Sequence, residues 1–186
     1  TARGEQSEGG CYSMTSLRLL TRVALFSALI YVLALATAFL PNVKLIFFLV
    51  FTAGFLWGAL AGMLVGSVGM ALWTIFNPYG PAGIPVMIAQ IAGASLGGLV
   101  GYFFARSGWK KMPRVVLIGS LAVMALGCTL LFYLPVTLVD AWIYQPFWPR
   151  FLTGLPWVGI SVISNMIVFP LLFPAARFLY LRENPA

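Results

Sequence analysis

Between residues 17 and 179 the chain is one nearly continuous apolar sequence, and that hydrocarbon content constrains its fold more than any motif it carries. The interruptions are few: Pro41-Asn42, the stretch FNPYGPAGIPVMIAQ at residues 76–90, a basic cluster at 106–114, and an aromatic segment ending at Arg150. Hydrophobic residues make up 61% of the 186 and charged residues 8%, with a mean hydropathy of +0.98. Values this far from those of soluble globular domains predict an all-α integral membrane protein. The polar segment 1–16 is set apart from the membrane domain, which is expected over residues 17–181, followed by a short tail at 182–186.

Apolar runs at residues 17–40, 84–104, 114–134 and 151–179 are each long enough for a hydrocarbon core of roughly 30 Å at about 1.5 Å rise per residue. The run 43–76 is too long for one span: as a single helix it would measure about 51 Å. The basic residues decide how it divides. Arg3, Arg18 and Arg22 precede the first run, Arg106, Lys110, Lys111 and Arg114 form a second group, and Arg177 and Arg182 close the chain. Placing all three groups in the cytoplasm requires an even number of spans between them. The run 43–76 is therefore expected to turn near LWGALAG, residues 56–62, giving a compact bundle of six transmembrane helices with both termini cytoplasmic. Of the eleven basic residues only Lys44 and Arg150 then face outward, and the outer connections are 41–44, 77–83 and 135–150.

A net charge of +7 can signal nucleic-acid binding, but these cations flank apolar spans and do not form a stripe between aromatics, so no nucleic acid is expected. Catalytic chemistry has little to use. The chain has no histidine, its four acids are Glu5, Glu8, Asp140 and Glu183, and Cys11 and Cys128 make no metal or redox spacing. No phosphate-binding glycine loop occurs. The chain is not expected to be an enzyme, nor to hold a cofactor or a metal.

Polar groups inside the apolar runs are few enough to question singly. Asn77, Gln90 and Asn165 carry amides, with Thr74, Ser161 and Ser164 beside them. A buried amide without partners costs several kcal/mol, so each of these pairs with a neighbouring helix or meets a ligand. Tyr133, Trp142, Tyr144, Phe147 and Trp148, with Asp140 and Arg150, either belong to the headgroup belt or stack on a flat heterocycle whose polar edge a charge selects. Small residues recur every fourth position: Ala24 and Ala28, Ala34 and Ala38, Gly54 to Gly66, and Gly93 to Gly101. Such ridges let helices approach closely in lipid. Most suit internal packing, whereas Ala24 and Ala28, in the cytoplasmic half of the first helix, suit docking of a partner subunit.

The six-span layout, the alanine pair in a basic-flanked first helix, the stretch FLPNVKLIFFLVFTAGFLWGALAGMLVGSVGMALWTIFNPYGP and the basic loop after span four resemble the substrate-binding S component of energy-coupling factor (ECF) vitamin transporters. The likeness covers residues 17–181, in layout more than in a strict signature. It implies capture of a vitamin or cofactor precursor near the outer surface of the plasma (inner) membrane. It also implies docking through Ala24 and Ala28 on a transmembrane T component driven by two cytoplasmic ATPase subunits. Family layout puts Asn77, Tyr79 and Gln90 on one wall of the pocket, under a loop shaped by the proline-rich break, and Asp140, Trp142, Tyr144 and Asn165 on the other. Where the family often has an acid after Pro-Asn-Val, this chain has Lys44, which either favours an anionic ligand or anchors the helix at the headgroups. The alternative is a small multi-spanning scaffold similar to the rod-shape protein MreD. It needs partner surfaces but no enclosed polar pocket, and predicts that Asn77, Gln90 and Asn165 pair with other helices.

Overall fold

A computed structural model describes residues 5–39 and 44–183, with side chains from residue 16 onward. Six α-helices follow in order: α1 (Glu5–Ala36), α2 (Ile46–Trp57), α3 (Ala59–Phe76), α4 (Ile84–Arg106), α5 (Arg114–Ile143) and α6 (Phe147–Glu183), with a 3-10 turn at Trp109–Lys111. There is no strand among the described residues. Five of the helices are long and apolar enough to cross a membrane, which makes this a multi-pass α-helical membrane protein. The sixth, α2, has 12 residues and so measures about 18 Å. Arg3, the Cys11 side chain, the Pro41-Asn42-Val43 entry and residues 184–186 lie outside the described residues.

The run 43–76 breaks at Gly58, whose φ of 95° belongs to a backbone conformation open to glycine alone. The break folds α2 against α3 as a hairpin: a Cβ on Gly62 would lie 2.6 Å from the Gly54 Cα. Apolar on every side, α2 is almost wholly buried and forms the centre of the bundle. Its glycine face meets α4, where the ridge of small residues brings backbones together without intervening side chains. Its phenylalanine face meets α6. Phe48 and Phe51 pack on Phe169, with ring centroids 5.4 and 5.1 Å apart, and Phe55 packs on Phe173 and Tyr180. The same aromatic column ends on the buried Trp109.

Two boundaries differ from the sequence pattern. Residues 135–150 are expected as a loop, yet α5 continues through Pro135 to Ile143 and α6 begins at Phe147, leaving only 144–146 between them. Proline stops helices in water, but in an apolar medium an unravelled backbone has no partners, so the helix continues past it. α1 likewise begins at Glu5 and includes most of the polar segment set apart as 1–16.

The three basic groups come together at one end. Arg22 on α1 pairs with Glu183 on α6 and lies 5.0 Å from the Trp57 ring, while Lys110 and Arg177 lie over Tyr180 and Trp109. The opposite end carries Lys44, the 77–83 connection and the α5–α6 turn, and is called the loop end below.

Candidate functional site

Helical spacing builds a polar seam between α5 and α6. Thr129 and Tyr133 are four residues apart on one helix, Ser161 and Asn165 four apart on the other, so each pair shares a face. Ser161 Oγ donates to the Tyr133 hydroxyl at 2.9 Å, and Asn165 Nδ2 donates to Thr129 Oγ1 at 3.1 Å, making two rungs one helical turn apart. The outer rung is the one nearer the loop end. All four residues are buried.

The inner rung is incompletely satisfied. Thr129 Oγ1 has one proton and gives it to the Ala125 carbonyl at 2.7 Å, so toward Asn165 it can only accept. Asn165 must therefore present its Nδ2, and its Oδ1 is left without a partner at 0% exposure. A buried acceptor of this kind costs about 1–3 kcal/mol. Among the described residues few buried polar side-chain atoms share this state, the others being on Ser27, Thr52 and Trp57.

Lys44 stands above the outer rung. Its Nζ lies 5.5 Å from the Tyr133 ring and 5.7 Å from that of Phe132, and Phe47, in the first turn of α2, packs edge-on to Phe132. The two acids whose side chains are described are committed elsewhere, Glu183 to Arg22 and Asp140 to Arg150 at 2.6 Å. Among the described residues Lys44 thus has two aromatic faces and no carboxylate.

The remaining expected site residues fall in three other places. Gln90 Oε1 accepts from Thr74 Oγ1 at 2.5 Å, joining α3 to α4 within the bundle. Asn77 serves its own turn: Oδ1 accepts from the Tyr79 backbone N–H at 2.8 Å, and Nδ2 points at the Thr74 carbonyl at 3.4 Å. Tyr79 is exposed, and its hydroxyl donates to the Ala38 carbonyl at 3.0 Å, tying the 77–83 connection to the end of α1. Asp140, Tyr144 and Arg150 form a group at the α5–α6 turn, with the guanidinium 4.8 Å from the Tyr144 ring and the Tyr144 hydroxyl against Gly83. Trp142 turns outward, 75% exposed, in an open apolar groove of about 510 Å³ with Pro85, Leu138, Val139 and Ile143.

Of the residues expected on the pocket walls Asn165 alone is in the seam, with Ser161 from the intramembrane polar set beside it, and Trp142 and Tyr144 do not stand with it. Thr129 is not singled out in the sequence, where Tyr133 reads as a belt or ligand-stacking aromatic of the outer segment and not as a partner of Ser161. Their signal is the i, i+4 match between Thr129/Tyr133 and Ser161/Asn165 across two apolar runs. Ser164 donates back to the Ser161 carbonyl at 3.1 Å and stays on its own helix. Ala24 and Ala28 both lie on the exposed face of α1, while Val23, Ser27 and Ile30 form its buried face. No group of three or more His, Cys, Asp or Glu side chains comes together among the described residues. Comparison with family models, curated proteins and solved structures finds no match to the chain.

Proposed function

We propose that the chain is a substrate-binding subunit of the ECF S-component type, which takes up a vitamin or cofactor precursor at its loop end across the plasma membrane. The observation that carries this is the α5–α6 seam, where a fully buried amide oxygen without a partner lies one turn below a rung that a half-buried lysine overlies. A protein that only spans the bilayer gains nothing from an unsatisfied acceptor in its core, whereas a ligand donor relieves its cost. In this proposal α2 crosses with the other helices, the basic end is cytoplasmic, and Ala24 and Ala28 form a close-packing stripe for a T component driven by ATPase subunits. Their exposure supports that role.

A scaffold of the MreD type is the second reading, favoured by one observation. Gln90 pairs with Thr74 between α4 and α3, the interhelical pairing that a bundle without a ligand requires, although Asn77 bonds its own turn.

The deciding experiment is to purify the chain in detergent, denature it and identify the small molecules released by mass spectrometry. One heterocyclic compound at near-stoichiometric yield supports the transporter subunit. No released compound, together with no rise in melting temperature across a vitamin panel, favours the scaffold.

A further inference from the structure

Lys44 lies at the start of α2, half-buried over two aromatic rings, and the carboxylates described in the structure are taken by other cations. A lysine needs no carboxylate in water, but at a half-buried position beside an apolar core an unpaired ammonium draws in an anion. The start of α2 adds to this. Its first backbone N–H groups have no intrahelical partner, and Leu45, at the cap, offers no side-chain acceptor. One turn below the Tyr133–Ser161 rung, Asn165 Oδ1 accepts from nothing. The seam thus presents a positive group at its mouth and an unmet acceptor at its base. Between them lie the aromatic faces of Phe132 and Tyr133.

Resting on the ligand-binding reading above, we propose that the ligand is a small water-soluble organic anion. Its carboxylate or phosphate is held by Lys44 and the first turn of α2, and one of its N–H or O–H groups donates to Asn165 Oδ1. Asn165 lies about one helical turn, or 5.4 Å, below the Tyr133–Ser161 rung and Lys44 stands above that rung, so the ligand must reach across more than one turn. The Tyr133–Ser161 bond lies between Lys44 and Asn165, so entry requires that rung to part. A cation can donate to Asn165 Oδ1 but leaves the Lys44 charge unpaired, and a neutral ligand carrying only acceptors can accept from Lys44 but leaves Asn165 Oδ1 unmet.

The test uses the full chain in detergent, as wild type, K44Q and K44R. Each is incubated with a protein-free extract of cell metabolites and lipids, washed, checked for folding by melting temperature, and denatured for mass spectrometry. The expected result is one soluble compound bearing a carboxylate or phosphate, retained by wild type and K44R and reduced about tenfold or more in K44Q. A neutral or cationic compound, or equal retention by folded K44Q, overturns the anion assignment while leaving the binding proposal standing. An anionic phospholipid recovered in place of a soluble compound assigns Lys44 to the headgroup layer and overturns the inference. Nothing released by wild type overturns both the inference and the binding proposal.

Discussion

Gly54 on α2 faces the backbone carbonyl of Gly98 on α4 so closely that a methyl group on residue 54 would stand 1.9 Å from that oxygen. Gly101 meets the Phe51 carbonyl at the same distance, and Gly66 meets the Ala94 carbonyl at 2.7 Å. Backbone cannot yield as a flexible side chain can, so Gly54→Ala and Gly101→Ala are expected to cost at least about 3 kcal/mol, the upper part of the overpacking range. Gly127 lies on α5 with nothing within 4 Å of its would-be Cβ, and Gly127→Ala should be neutral or gain up to about 1 kcal/mol from helix propensity. Thermal unfolding of the three variants in detergent checks the contrast. Equal melting temperatures would mean that α2 and α4 do not meet through their glycines.

Gly58 makes a different demand. Its Cβ would meet nothing within 4 Å, yet its φ of 95° with ψ of 176° is essentially closed to other residues. Gly58→Ala should therefore lower stability by about 1–3 kcal/mol without any steric contact. A tolerated alanine would show that α2 and α3 join through an ordinary helical residue.

How much of this was legible depends on which physical signal each residue carries. Hydropathy and the spacing of basic groups point to a membrane bundle and to a break inside 43–76, because an apolar length and a charge position each have one meaning in a bilayer. The α5–α6 turn was less legible. Pro135 reads as a stop by the rules of water, and the helix continues past it. Asn165 stood out as an amide in an apolar run, but whether it pairs or binds depends on what Thr129 does with its single proton. That is a fact of three dimensions. Trp142 and Asn165 shared an expected wall, and the length of α5 turns the tryptophan outward instead.

Ala24 and Ala28 offer a test in which stability and assembly separate. Both are exposed, so Ala24→Leu or Ala28→Leu should leave the melting temperature and ligand retention within error, since exposed positions tolerate change to about 0.5 kcal/mol. Under the proposed function the same variants should abolish co-purification with a T component and uptake in cells. Ser27→Leu, on the buried face of the same helix, should instead destabilise the chain. Normal assembly by both alanine variants would remove this face as a docking surface.

Asn165→Leu distinguishes a structural amide from a binding one. The substitution removes an acceptor without a partner and leaves Thr129 with its proton still placed on Ala125, so no new donor is orphaned. Stability should change by less than about 1.5 kcal/mol, as for other near-isosteric changes. Ligand retention should fall by about tenfold or more, the loss expected for a buried hydrogen bond of about 1.5 kcal/mol. If the variant unfolds in mild detergent, the amide holds the helices together. If it folds and retains ligand as wild type does, the seam is not the site.

The orientation of the bundle is open to a direct chemical test. Lys110 sits at the end where Arg22, Arg177 and Glu183 also gather, and Tyr79 is exposed at the loop end. With the native cysteines replaced, a membrane-impermeant maleimide applied to intact cells should label Tyr79→Cys and spare Lys110→Cys until the membrane is permeabilised. Basic residues are retained on the cytoplasmic side during insertion, so this is the polarity that the clustered charge demands. Labelling of Lys110→Cys alone from outside would invert the protein and place Lys44 and the seam in the cytoplasm, where they would not capture an external solute. Labelling of both from outside would mean that α4, the helix between these two positions, does not carry the chain across the membrane.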